Sequence, residues 1–344
     1  VGAVTDLVTF GEATVRLSPP RGDRLETAPA LDVRVSGPES NAAVGAARLG
    51  VDAAWLSKLP DSALGRRVIA ALRSHGVRTG VAWTDAAAGR VGTIYEDRGA
   101  GAHGTAAIDD RAGSAFTTVT PADLPNGVVE STDRVHTTGV TLGASDRARS
   151  TALDLLETAG EAGVRRSLAL RHRDRLWDAD RTDSTGRDGS AGRDESSSGT
   201  DSAARVYREA LEHVETLFVS RGEARSVLSC EGDAVEIVHS LRTEFDLETV
   251  VLTRDGATTG AVAIDAGAVH EGPAADTPHR DPTGTDDAFV AGFLAERIAD
   301  GSVPDALERG TATAVLTGRI DGGTAIITRK EVNGLIADPD ALER

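Results

Sequence analysis

Apolar residues are arranged along this chain in two alternating ways. Short runs rich in aliphatic and β-branched residues, at 7–10, 53–56, 134–137, 167–170, 216–219 and 249–253, predict buried strands. Between them, apolar positions recur at helical spacing and predict helices over 41–49, 63–75, 146–162, 203–214 and 234–244. Residues 91–95 and 105–108 read as strands of a half-exposed sheet. Strand and helix alternating in this way predict an α/β fold, a mostly parallel sheet with helices on both faces. From 178 to 204 apolar residues nearly vanish and Asp, Ser, Gly, Thr and Arg take over. Such a stretch cannot offset the entropy of ordering, so a surface insertion without fixed structure is expected there.

One segment packs several signals together: Arg280-Asp281-Pro282-Thr283-Gly284-Thr285-Asp286-Asp287-Ala288-Phe289-Val290-Ala291-Gly292-Phe293. Pro282 and Gly284 set a turn, and Phe289, Val290, Phe293 and Leu294 give the following helix a buried face. The N–H groups of Gly284, Thr285, Asp286 and Asp287 then lie at a helix N-terminus. Unpaired amides and the positive end of the helix dipole suit a phosphate there. Asp287 beside such an anion is either a helix cap or a proton acceptor.

Composition narrows the field. Acidic residues outnumber Lys and Arg by 54 to 37, a formal net charge of −17 in 344 residues. Nucleic acid and anionic membrane surfaces are therefore poor partners. Lys58 and Lys330 are the only lysines, and neither follows the glycine pattern of a Walker phosphate loop. The acidic balance with few lysines and aromatics resembles salt-adapted, haloarchaeal-type proteins; a high-GC genome is the other reading. Cys230 stands alone, so an intrachain disulfide is excluded and a buried small apolar role is expected. The first residues lack the charged and apolar regions of a signal peptide, and a cytoplasmic location is expected. Gly99-Ala100-Gly101-Ala102-His103-Gly104 fits a dinucleotide-binding pattern, yet the residues after it open no amphipathic helix, so a lid turn is expected.

The 280–293 segment resembles the Asp-Thr-x-Gly-Ala-Gly-Asp-x-Phe signature of the ribokinase-like (PfkB) carbohydrate kinases. Ser36-Gly37-Pro38-Glu39-Ser40-Asn41-Ala42-Ala43 is similar to the family's Gly-Gly-x-x-x-Asn-x-Ala motif, with Ser36 in place of the first glycine. Asp110-Arg111-Ala112-Gly113-Ser114-Ala115 resembles the Tyr-Arg-x-x-Ser-Ala segment of the 2-keto-3-deoxygluconate kinase branch. Residues 169–177 align with that branch's Asp-x-Asn-x-Arg-x-x-Leu-Trp motif: Arg173 and Trp177 match, while Ala169 and Arg171 replace the Asp and Asn. Val219-Ser220-Arg221-Gly222-Glu223 resembles the Asn-x-x-Glu motif tied to magnesium and phosphate. Residues 253–260 resemble the strand-end loop along the nucleotide.

The resemblance implies a single ribokinase-like domain over 1–344, with lid strands near 12–36 and 90–118. It implies ATP and Mg²⁺ as cofactors and phosphorylation of a hydroxyl on 2-keto-3-deoxygluconate or its galactonate epimer. Asp287 would be the catalytic base, with Gly284, Thr285 and Asp286 completing the anion hole. Gly37, Asn41, Arg111 and Arg173 would bind the sugar acid, since guanidinium groups fork onto carboxylates. Ser220, Thr253 and Gly256 would line the ATP site, and Glu223 would hold Mg²⁺ directly or through water. A homodimer through the lid sheet is a further implication. Asp286 stands where the family has glycine, and either solvent exposure or salt screening would relieve its repulsion from phosphate. Two alternatives remain: a neutral-sugar kinase of fructokinase or ribokinase type, and a family member that binds sugar acid or nucleotide without turnover.

Overall fold

The strand over Thr5–Phe10 (β1) shows why the central sheet reads as unbroken apolar runs. Leu7 packs into one core layer with Ala53, Trp55, Phe218 and Val251, while Val8 and Phe10 point into the opposite layer with Leu56, Val135, Leu168 and Leu217. In the computed structural model, which describes residues 5–20, 22–98, 105–177, 199–254, 258–276 and 283–339, the remaining strands are β2 (Thr14–Ser18), β3 (Asp32–Ser36), β4 (Ala53–Pro60), β5 (Arg78–Thr84), β6 (Thr93–Arg98), β7 (Thr105–Asp110), β8 (Thr132–Thr138), β9 (Arg165–Ala169), β10 (Thr216–Ser220), β11 (Thr249–Thr253), β12 (Thr258–Thr259), β13 (Ala261–Asp265), β14 (Ala268–Glu271) and β15 (Ala275–Asp276). The helices are α1 (Pro38–Arg48), α2 (Ala63–Arg73), α3 (Gly139–Ala144), α4 (Asp146–Glu161), α5 (Gly199–Leu211), α6 (Arg221–Ser226), α7 (Ala234–Glu244), α8 (Thr285–Ile298), α9 (Val303–Gly318) and α10 (Arg329–Ala337).

The large sheet has the order β14-β13-β11-β10-β9-β8-β1-β4-β5. From β11 to β5 every neighbour is parallel, and β13 and β14 add an antiparallel edge. Helices α4, α5 and α7 cover one face; α1, α2, α8, α9 and α10 cover the other. Because β1 lies between β4 and β8, strand order reverses there, which in open parallel sheets puts ligands at the strands' carboxyl ends. Glu12, Thr138, Arg171, Ser220 and Thr253 all lie at or just beyond such ends.

A separate four-stranded sheet, β3-β2-β6-β7, is built from β2 and β3 after β1 and from the β6–β7 hairpin. Residues 99–104, which carry the dinucleotide-like glycines, lie outside the described residues. The strand β7 follows them directly, where a dinucleotide loop would open a helix.

The stretch expected to lack structure over 178–204 is corrected at its end: α5 already begins at Gly199. Ala203, Val206, Tyr207 and Ala210 are buried at helical spacing, and that apolar stripe carries the helix back into the polar segment. Residues 178–198 lie outside the described residues. Cys230 is buried in the core, as expected. No helix among the described residues is long and apolar enough to cross a membrane.

Candidate active site

Two helices of opposite sequence halves meet at the carboxyl edge of the sheet. Ala42, Ala43 and Ala46 of α1 are buried, and a Cβ added at Gly45 would stand 2.6 Å from the Ala291 Cβ of α8. Small residues thus let α1 and α8 approach closely. On its other side α8 is held by Phe293, whose ring meets Phe218 of β10 edge to face at 5.2 Å, a geometry worth about 0.5–1.5 kcal/mol beyond area burial. Packed from both sides, α8 presents its first turn to the first turn of α1. Asn41 Nδ2 donates to Asp287 Oδ2 at 2.9 Å, with both side chains buried.

Gly284 occupies the N-cap of α8 in the left-handed region at φ 76°, so no side chain caps that helix start. A Cβ there would land on the Gly323 carbonyl oxygen, and one at Gly323 (φ 69°) would press on Thr283. Glycine on both chains allows the 283–284 turn and the loop after α9 to touch. The result is a helix N-terminus without a side-chain cap at the carboxyl edge of the sheet, a geometry suited to an anion. Gly284, Thr285, Asp286 and Asp287 are brought together there.

Arg171 brings a cation to this point. Its Nη1 donates to Asp286 Oδ2 and its Nη2 to Asp287 Oδ1. Burial alone would lower its pKa, but Asp287 and Asp286 overcome that and hold the guanidinium above its already high range. Asp286 is exposed, as one of the two expected escapes required, but it is also ion-paired. The opposite-sign departures Arg171 and Asp286 are therefore one interaction, and their complementary charge was the signal in the sequence that could have linked them.

The residues after β9 tie the site together. The His172 N–H donates to Glu223 Oε1 at 2.7 Å, and the His172 ring stacks on Trp177. Ser220 caps α6 in a reciprocal box: Glu223 N–H donates to Ser220 Oγ, and Ser220 N–H to Glu223 Oε2. Both Glu223 oxygens thus accept backbone amides. Ser220 lies opposite Thr253 in the β10–β11 register, so these two expected nucleotide residues are neighbours. Gly256 lies outside the described residues. Arg173 is exposed and within electrostatic reach of Arg171, Asp287, Arg111 and Asp109.

Arg111 follows β7 from the small sheet and is buried, its Nε donating to Asp109 at 2.6 Å and its Nη1 lying 3.5 Å from Glu12. Burial opposes its charge, but Glu12 and Asp109 prevail and raise its pKa. Gly92 leaves room for this pair, since a Cβ there would stand 2.7 Å from Glu12 Oε1. Gly37, the N-cap of α1, is extended at φ 173° against the Glu12 backbone. Gly37 and Arg111 thus both meet Glu12 just beyond the end of β1, and Asn41 follows Gly37 in the first turn of α1.

Two buried titratable groups here were not anticipated from the sequence. Glu39 Oε1 accepts from Thr138 N–H, Thr138 Oγ1 and Thr141 Oγ1, and burial pushes its carboxyl up to about 7 against those hydroxyls, with Asp287 adding to the rise. His136 on β8 pairs with Ser167 Oγ at 3.0 Å, and burial pushes its pKa down to about 3, keeping it neutral.

With this geometry in place, the comparisons are specific. A profile described as pfkB family carbohydrate kinase matches residues 4–325. A 2-dehydro-3-deoxygalactonokinase of Haloferax volcanii is 42% identical over 337 residues, 98% of each chain. A 2-dehydro-3-deoxygluconokinase of Thermoproteus tenax is 26% identical over 320 residues, covering 93% of this chain and 90% of that one. Among solved structures, a 2-dehydro-3-deoxygluconokinase of Thermotoga maritima superposes with a TM-score of 0.86 at 23% identity, covering 97% of this chain and 99% of that chain. The last match establishes the same fold, the ribokinase-like α/β architecture expected from the sequence.

Proposed function

The chain belongs to the PfkB family of carbohydrate kinases, and from that premise we propose that it transfers the γ-phosphoryl group of ATP to a hydroxyl of 2-keto-3-deoxygalactonate or its gluconate epimer. The observation that carries this reading is the pairing of Asp287 with the uncapped N-terminus of α8: a carboxylate able to take a proton, beside amides able to hold a phosphate. The hydroxyl oxygen attacks the γ-phosphorus, the bond to the bridging oxygen breaks with its electrons leaving on ADP, and the hydroxyl proton passes to Asp287. Gly284, Thr285 and Asp286 offer their backbone amides to the transferring group.

The sugar-acid assignment rests on Arg111 and Arg173, two guanidinium groups within electrostatic reach of each other and of Asp287 or its neighbours, and on the 42% identity to the Haloferax volcanii enzyme. Ser220 and Thr253 border the nucleotide, with Gly256 expected in the same loop. The donor set for Mg²⁺ is sparse: among the described residues no group of three or more His, Cys, Asp or Glu could hold a metal. Glu223, with both oxygens bonded to amides, fits contact through water. Mg²⁺ sites of this kind are completed by waters and substrate phosphates, and the ion supplies charge neutralisation on those phosphates. A cytoplasmic location fits an enzyme that consumes ATP, and the net charge of −17 suits high salt.

The test is an ADP-release assay over sugar acids and neutral sugars in molar KCl with Mg²⁺, run on the native protein and on Asp287→Asn. Turnover confined to sugar acids and lost in Asp287→Asn supports the reading. Equal turnover of fructose or ribose would move the assignment to a neutral sugar, and silence of the folded protein across the panel would overturn it.

A further inference from the structure

Arg171 is held in place by more than its ion pairs. Its backbone sits in the left-handed region at φ 44°, where a residue with a Cβ is strained. The next amide, His172 N–H, is fixed on Glu223, and the side chain is mostly covered, with 19% of its surface exposed. Structure is thus expended to aim one guanidinium at the N-terminus of α8. That end of a helix repels a cation, so the guanidinium depends on the two carboxylates of the first turn. The two are not equivalent. Asp286 is exposed and makes its bond to Arg171 from the rim, whereas Asp287 is buried and also holds Asn41 through its second oxygen.

We propose that Arg171 is a further catalytic residue, tethered by Asp286, which yields Asp287 to the acceptor hydroxyl and turns the released N–H onto the transferring phosphoryl group. The proposal rests on Asp287 as the proton acceptor. When the hydroxyl docks on Asp287 Oδ1, Nη2 of Arg171 loses its acceptor. The phosphoryl oxygens arrive at the same helix end and replace it. Asp286 keeps Nη1, so the guanidinium pivots and stays in the site. Arg171 transfers no proton; it remains charged throughout and neutralises the oxygens of the group in flight. Asp286, which would otherwise repel phosphate, becomes useful because it anchors that charge.

The experiment compares native protein, Arg171→Ala, Arg171→Lys and Asp286→Gly, each checked for folding by thermal melt. Steady-state kinetics are joined by calorimetric titration of ATP and of ADP without acceptor. Arg171→Ala should lower kcat about 100-fold or more, as removal of one donor to a developing charge does, with sugar-acid KM changed only a few-fold. Its affinity for ATP should fall about tenfold while that for ADP holds, since only ATP carries the γ-phosphate. Arg171→Lys should recover part of kcat, and it carries the test if the alanine variant does not fold. Asp286→Gly should lose kcat by a smaller factor, because the arginine stays but is no longer tethered. Arg171→Ala turning over within a few-fold of an active native protein, or losing affinity for ATP and ADP equally, would overturn this proposal and leave the kinase reading intact. A native protein inactive on every sugar would overturn the kinase reading, and the ATP-against-ADP titration would still decide whether Arg171 meets the γ-phosphate.

Discussion

Asn41 Nδ2 donates a 2.9 Å hydrogen bond to Asp287 Oδ2 across 246 positions of sequence. Beside the sugar-binding role that the family resemblance implies for Asn41, its amide orients the carboxylate that would take the proton. A buried carboxylate stripped of a charge-assisted donor loses about 1.5–3 kcal/mol. Asn41→Ala is therefore expected to lower kcat roughly 10- to 100-fold on that scale and to lower the melting temperature. Steady-state kinetics with a thermal melt check this; unchanged kcat would mean that Asp287 is held well enough by other groups.

Gly284→Ala should damage both fold and activity. The position needs φ 76°, and the new Cβ would strike the Gly323 carbonyl. Strain of this sort costs about 1–3 kcal/mol before any clash is counted. Gly50→Ala is the control: it also has positive φ, at 94°, but the nearest atom beyond its chain neighbours, Nη1 of Arg329, would be 3.9 Å away. Gly50→Ala should lose stability with kcat retained, whereas Gly284→Ala should lose kcat as well. Equal kcat in the two variants would argue that the α8 turn plays no part in transfer.

Arg111 separates acid from neutral sugars. Nε and Nη1 are engaged by Asp109 and Glu12, which fixes the planar group with Nη2 left for a substrate carboxylate. Arg111→Ala is expected to raise KM for the sugar acid by about tenfold or more, the scale of a charged hydrogen bond, while fructose use changes far less. Equal losses on both substrates would remove the basis for a sugar-acid assignment. The same variant should melt earlier, because Glu12 stays buried after losing this cation.

Glu39 and His136 should give stability opposite pH dependences. The Glu39 carboxyl, raised to about 7 by burial, binds its proton more tightly folded than unfolded. Its contribution is best at low pH and declines as pH climbs from the unfolded value near 4.5 to about 7, by about 3 kcal/mol in all. His136, lowered to about 3 by burial, contributes stability above its unfolded value near 6.5 that is lost as pH falls toward 3. Between pH 4.5 and 6.5 the two oppose each other. Urea unfolding of native protein and Glu39→Gln from pH 4 to 8 isolates the first: the native-minus-variant difference should decline across pH 4.5 to 7 and then level off. A difference independent of pH would show that Glu39 is ionised in the fold like any exposed carboxylate.

The sequence by itself determined the type and alternation of the main strands and helices and the start of α8 after Gly284. These are written in spacings of two to four residues, and Gly284 with the apolar stripe of Phe289, Val290 and Phe293 is read without knowing any partner. The spacing of Ala203, Val206, Tyr207 and Ala210 placed α5 from 203, and only its first turn, from Gly199, lies in what composition read as insertion. Only the tertiary structure decided which charges meet. Arg171 reaches Asp286 and Asp287 from more than a hundred positions away, and Glu39 is buried against Thr138 and Thr141 because β1 lies between β4 and β8. Local periodicity specifies a face and an end of each element. The order of strands in the sheet, and the close approach that Gly45 permits between α1 and α8, specify the neighbour that each end receives.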